Sequence, residues 1–324
     1  MAYETGSASS PSDLLDKLRA FLLTNGWTIN SFVTIGSGKR LHIQKGSCYY
    51  NFRAYHGETT DDLNGEYVTG FWGIGGYPSD GYSGASNWNA QPGCPIYYYF
   101  TQYYYRGGYA NQLSSAIPTY HFFTYADITE VHVVIEFVTG KFQHINFGDL
   151  QKYNPSALGG RWMSMPTATN EGLPYYYGQD HGSGAGSMVP FRGASYLSFS
   201  GHNSSVIRVN IDNHDGWAFE GSKDSISISP IAAVGPHYYN QEFETATTSP
   251  YSWQTRLLPY VIGIVRSDAS VSPFGEIKHL RELDITNYME AEEIVLGPDT
   301  WKVFPLYQKG GYSLQRGIAI RKVA

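Results

Sequence analysis

Apolar residues recur at helical spacing most clearly near the start of the chain, at Leu14, Leu15, Leu18, Phe21 and Leu22, which together make one face of an amphipathic helix. Ser10 just before them is a favourable N-cap, Pro11 suits the first helical position, and Asp13 meets the positive end of the helix dipole. Asn25-Gly26 supplies the stop. The pattern predicts a helix of about three turns.

After Gly26 the period becomes that of strands. The runs 27–33, 40–44 and 48–55 are short, rich in aromatic and β-branched residues, and separated by Gly-Ser-Gly-Lys and Lys-Gly-Ser. A β-meander is expected, with the Leu14/Leu18/Phe21 face of the helix covering one side of it. From Gly57 to Ala116 the chain turns to Gly, Tyr, Ser and Asn, as in Gly73-Ile-Gly-Gly-Tyr-Pro, and a long loop-rich excursion is expected there. Within it the stretch 96–105 carries no charge before Arg106. As an isolated strand it would be sticky, so something must cover it.

A second β region opens at Thr119. Glu130–Val138 and Phe142–Phe147 flank Thr139-Gly140-Lys141, a hairpin signal. Residues 153–193 read as another loop-rich section. Further strands are expected at 195–199, 206–211, 225–229, 257–265, 293–296, 301–304 and 317–321. No fixed repeat is apparent. The expected fold class is mainly β, of the α+β kind: an N-terminal helix on a β-meander, then β-sandwich-like antiparallel sheets with long Gly/Tyr-rich loops. A shift in composition divides the chain into residues 1–116 and 117–324, an arrangement equally compatible with one domain.

Composition changes this picture in one respect. Charged residues are only 15% of the 324 residues and aromatics reach 16%, the excess lying in 28 tyrosines. Tyrosine joins a large apolar ring to one polar tip and so suits half-buried strand faces and protein interfaces. A formal charge of −6 without any dense Lys/Arg cluster argues against nucleic acid as a partner. Neither a basic leader with an apolar run nor a membrane-length apolar stretch is evident, so no membrane partner is expected and the chain reads as made in the cytoplasm. Cys48 and Cys94 lack CxxC spacing and read as two plain thiols.

Candidate chemistry is thin. Asp212-Asn-His-Asp215 with His202 resembles a metal-ligand set only loosely, and the same residues are ordinary turn chemistry after a strand, which is the preferred reading. His144 and Asp149, with Asp180-His181, are candidates for acid–base work, yet a satisfied strand histidine is the preferred reading of His144. No GxSxG, HExxH or Walker pattern occurs, and the glycines at 182–186 lack the GK[ST] ending that holds phosphates. The expectation is a non-enzymatic protein with no cofactor, no metal and no catalytic residues. The residues singled out are aromatic: Tyr97, Tyr98, Tyr99, Tyr103, Tyr104 and Tyr105, together with Trp72 and Trp88. They are read as rings that pack against neighbouring chains. The alternative is a sugar-stacking platform, which would make the chain a host-recognition or carbohydrate-binding module with a host glycan as ligand.

Three stretches carry a resemblance. Residues 142–153, Phe-Gln-His-Ile-Asn-Phe-Gly-Asp-Leu-Gln-Lys-Tyr, followed by Gly159-Gly160, are one. Pro273-Phe-Gly-Glu-Ile-Lys-His-Leu-Arg281, residues 292–305 and Gly317-Ile-Ala-Ile-Arg-Lys322 form the second, and residues 8–27 the third. These resemble segments of a family of tailed-bacteriophage virion proteins and together span about a third of the chain. Where Asn154-Pro155 follows Tyr153, the family more often has glycine. The resemblance implies a structural protein of the neck, collar, tail or baseplate, located in the virion. It also implies a homo-oligomeric ring with other virion proteins as partners. It implies no catalytic residues.

Overall fold

The computed structural model describes residues 1–58, 70–94, 110–165, 207–211, 217–219, 231–234, 257–265, 271–306 and 316–322. In chain order its elements are β1 (Ala2–Ala8), α1 (Pro11–Thr24), β2 (Thr28–Ile35), β3 (Gly38–Lys45), β4 (Cys48–Glu58), β5 (Phe71–Ser79) and β6 (Ala110–Gln112). There follow β7 (Ile117–Thr124), β8 (Glu130–Val138), β9 (Lys141–Asp149), β10 (Gln151–Lys152), β11 (Gly159–Ser164), β12 (Ile207–Ile211) and β13 (Trp217–Phe219). The last are β14 (Ile231–Val234), β15 (Leu258–Val265), β16 (Val271–Asp284), β17 (Glu293–Leu296), β18 (Asp299–Pro305) and β19 (Arg316–Lys322). The fold is mainly β, with antiparallel sheets and, among the described residues, one helix, near the N-terminus.

The helix forms as its sequence dictates. Ser10 Oγ accepts the Asp13 backbone N–H at 3.1 Å, and the Asp13 carboxylate in return accepts the Ser9 N–H at 2.8 Å. This reciprocal cap satisfies two backbone donors at the helix start. Its apolar face does more than cover the meander. Phe21 meets Phe122 of β7 with ring centroids 5.5 Å apart, so α1 is packed between two sheets.

Those sheets are the meander β2-β3-β4-β5-β6 and a central sheet ordered β1-β7-β8-β9-β11-β12-β13. A third sheet, β14-β15-β16-β19-β18-β17 with β10 on β16, lies on the other side of the central one. Strand alternation explains the layering. Val131, Val133 and Ile135 of β8 share a core with α1 and the meander, while Val134 between them points into the core shared with Ile277, Phe304 and Ile318. A central sheet buried on both faces needs near-continuous apolar strands, which is how 130–138 reads. Residues on both sides of the 116/117 composition shift, such as Phe52 and Phe147, belong to the same core.

Eight of the described strands lie outside the sequence expectation: β1, β5 and β6, then β10, β11 (within the section 153–193 expected as loop), β13, β14 and β16. β1, Ala-Tyr-Glu-Thr-Gly-Ser-Ala, has no strand-like pattern of its own and is held by its ladder to β7, from Ala2 opposite Thr124 to Ala8 opposite Ile117. β5 falls inside the expected loop excursion. Its glycines are not loop markers: a Cβ on Gly75 would stand 2.5 Å from the Trp88 ring, and one on Gly76 would collide with Met163 and Met165. The glycines let an indole and two methionines lie flat on the strand. The expected strands at 195–199 and 225–229 lie outside the described residues, while the remaining ones appear as β12, β15, β17, β18 and β19. Among the described residues no helix is long and apolar enough to cross a membrane.

Candidate functional site

The densest polar arrangement sits where the central and C-terminal sheets meet. In the ladder between β15 and β16, Pro259 opposes Arg281 but the next residue, Tyr260, opposes Ile277. Lys278, His279 and Leu280 therefore bulge out of register and lose their β15 partners. Glu130, at the start of β8 and fully buried, takes their donors: its carboxylate accepts the Lys278 N–H at 3.1 Å and the His279 N–H at 3.0 Å. Arg281 takes their acceptors, donating to the carbonyls of Lys278 at 3.0 Å and Leu280 at 2.7 Å. One carboxylate and one guanidinium thus satisfy the backbone groups the bulge leaves over.

Histidines complete the cluster. Glu130 acts as acceptor throughout, so the His132 Nε2 2.7 Å from its Oε1 carries the proton. His132 Nδ1 lies 2.8 Å from the side-chain amide of Asn146 on the neighbouring strand, and with the proton on Nε2 it is the Asn146 amide nitrogen that donates to it. The His279 ring stacks on Tyr125 at 3.8 Å, and Tyr125 donates to the Arg321 carbonyl at 2.7 Å. Burial pushes His279 below the usual histidine range against the pull of Glu130 and Asp127, so the ring is neutral at neutral pH. Partial burial works to raise Asp127, but Lys278, whose Nζ lies 2.9 Å away, together with the His279 hydrogen bond holds it down at about 2.

Other buried polar groups are also satisfied structurally. His144 on β9 meets the Pro305 carbonyl at 3.0 Å through Nε2, and burial pushes it down to about 4. This is the satisfied strand histidine that the sequence suggests. Asp149, at the far end of the same strand, lies beside the buried Cys48 instead, and burial raises the Cys48 thiol beyond the ordinary thiol range. Tyr50 donates to the carbonyls of Gly148 and Trp162, both at 2.9 Å, tying the meander to the central sheet. Cys48, Tyr50 and His144 are all buried. Among the described residues no group of three or more His, Cys, Asp or Glu is placed to hold a metal ion.

The aromatic candidates divide. Trp88 is fully buried, edge-on to Tyr77 with centroids 5.0 Å apart and lying over Gly75. Its faces are used inside the chain, which leaves none for a neighbouring subunit or a sugar. Trp72 is half-buried with its ring 4.3 Å from the His56 ring centroid. Tyr97, Tyr98, Tyr99, Tyr103, Tyr104 and Tyr105 lie outside the described residues, as do His202, Asp212–Asp215, Asp180-His181 and the glycines at 182–186. The Glu130–Lys278–His279 cluster escapes sequence reasoning, because its members are 148 and 149 residues apart and no motif links them.

The stretches with virion-protein resemblance converge. β10 pairs with β16, Gln151 opposite Glu276 and Lys152 opposite Gly275, and the Tyr153 N–H donates to the Phe274 carbonyl at 3.0 Å. Lys152 Nζ reaches the Gly159 carbonyl at 3.2 Å, and its stem lies over Gly160. Comparison of the chain with models of known protein families, and with curated protein sequences, finds no match.

Proposed function

We propose that this chain is a non-enzymatic structural protein of a tailed-phage virion, assembling with itself and with other virion proteins at the neck or collar, tail or baseplate. The observation that carries the reading is the meeting of the resembling segments. Lys152, Tyr153, Gly159 and Gly160 from one segment contact Phe274 and Gly275 from the other, or one another, in a single packed unit. Here the small residues are required by the contact itself, since a Cβ on Gly275 would stand 2.8 Å from the Gln151 carbonyl.

The chemistry of the described residues is consistent with a scaffold. Buried polar groups such as Glu130, His132 and His144 are committed to holding strands and sheets together. The test is the protein inventory of purified particles, by mass spectrometry and by labelling with an antibody to this chain. The chain is expected in the mature virion, and its absence from intact particles would overturn the proposal.

A further inference from the structure

Two strands close their sheets at opposite outer layers of the molecule. Among the described residues β2 is the edge of the meander and β17 the edge of the C-terminal sheet, with the central sheet between them. An edge strand leaves a row of backbone donors and acceptors available for another strand. Both edges also expose apolar side chains: Val33 on β2 is 43% exposed, Val295 on β17 is 69% exposed, and Leu296 beside it and Met289 just before the strand are exposed as well.

Their charges are opposite. Residues 25–57, which contain β2, β3 and most of β4, hold Lys39, Arg40 and Lys45, besides the buried Arg53, and no acid. Lys39 and Arg40 stand directly across from Thr34 and Val33, one strand in from the edge. The adjoining helix neutralises itself through Asp13–Lys17 and Asp16–Arg19. Residues 284–299 hold Asp284, Glu290, Glu292, Glu293 and Asp299 and no base. Glu293 is answered from within by Lys302, directly across from it on β18, and by Lys322, and Asp299 by Arg321. Among the described residues Glu290 and Glu292 form no ion pair, and both are exposed.

From this complementarity we infer that copies of the chain join head to tail, the β17 edge of one adding to the β2 edge of the next. Two different patches on opposite layers make a heterologous contact, which propagates from copy to copy and closes into a ring when the rotation per subunit allows. The inference deepens the proposed function by naming the self-association surface, and it rests on that reading for its setting in a particle. Backbone pairing over the four residues of β17 supplies register, the valines supply apolar burial, and the charges steer the encounter and reject the like-edge pairings.

The test uses the full chain and sedimentation or light scattering over a concentration series. A Val33→Glu/Lys39→Glu variant makes the β2 edge acidic, and a Glu290→Lys/Val295→Lys variant makes the β17 edge basic. Each alone is expected to self-associate at least about tenfold more weakly than the natural chain. Mixed in equal amounts they should regain association, because the acidic β2 edge now matches the basic β17 edge and the two unaltered edges still match each other. Added salt should weaken assembly of the natural chain. All substituted positions are surface ones, and circular dichroism checks the fold. If either double variant unfolds, Lys39→Gln and Glu290→Gln test the same edges with a smaller loss.

A natural chain that stays monomeric at roughly 100 μM, well above a micromolar dissociation constant, overturns the inference. So do variants that assemble like the natural chain, or a mixture that stays apart. If such variants are still built into particles as well as the natural chain is, the edges are wrong and the virion reading stands. Edge-dependent assembly of a chain absent from particles means the opposite: the edges are right and the virion reading falls.

Discussion

Replacing Glu130 by glutamine exchanges one carboxylate oxygen for an NH2 group at a site with no access to water. The Lys278 N–H points at Oε2, and the His279 N–H and His132 Nε2 point at Oε1. Whichever way the amide is turned, at least one backbone donor of the bulge then faces another donor. A lost charge-assisted hydrogen bond costs about 1.5–3 kcal/mol and an orphaned buried donor about 1–3 kcal/mol more, so a loss of roughly 3–5 kcal/mol is expected. Urea unfolding followed by circular dichroism measures it. Amide hydrogen exchange localises it, since the amides of Lys278 and His279 should lose protection out of proportion to the rest of β16. A loss below about 1 kcal/mol, or unchanged exchange at those two amides, would refute the view that Glu130 holds the bulge.

Asp127→Asn should do far less, under about 1 kcal/mol, because the Asp127–Lys278 pair is half exposed and screened, and the same urea titration decides it. Burial holds both His121 and His144 down at about 4, against about 6.5 in an unfolded chain. The folded state resists protonation that the unfolded state accepts. Their stabilisation is therefore complete above about pH 6.5 and is lost as the pH falls toward 4, on the order of 3 kcal/mol for each; unfolding midpoints between pH 7.5 and 4 should show this slope, and His144→Gln should flatten it. Gly76→Ala drives a methyl group into Met163 and Met165 and should cost about 1–3 kcal/mol by thermal unfolding, an unchanged midpoint counting against the close packing of β5. Cys48, buried and with its thiol raised by that burial, should escape iodoacetamide at pH 8 in the native protein and react in urea.

What is legible in the sequence is whatever is written locally. The helix from Pro11 to Thr24, with its Ser10 cap, and the hairpin turning at Gly140 between β8 and β9 depend on neighbours a few residues away, and both stand where the pattern puts them. β5 is hidden because glycine reads as a loop signal, when the reason for Gly75 and Gly76 is an indole and two methionines brought in from elsewhere. β1 is hidden because it has no apolar alternation and is a strand only by virtue of β7. The sequence points Trp88 toward an interface because aromatic excess says that rings must be covered, without saying by what; its cover is Tyr77 and β5 of the same chain. The Glu130 cluster is invisible for the same physical reason, since it exists only once β8 and β16 lie against each other.

The pairing of β1 with β7 has a consequence for the order in which the molecule can form. Tyr3 reaches His121 across 118 positions of sequence, and Tyr120 reaches back to Glu4. During synthesis the first strand leaves the ribosome long before its partner exists, and helix α1 right behind it likewise waits for Phe122. Closing so long a loop is entropically costly and slow compared with zipping the local β8–β9 hairpin. Loop closure therefore favours the hairpin as the first part of the central sheet to form and β1 as a late addition, an order that pulsed amide exchange during refolding would read as late protection of residues 2–8.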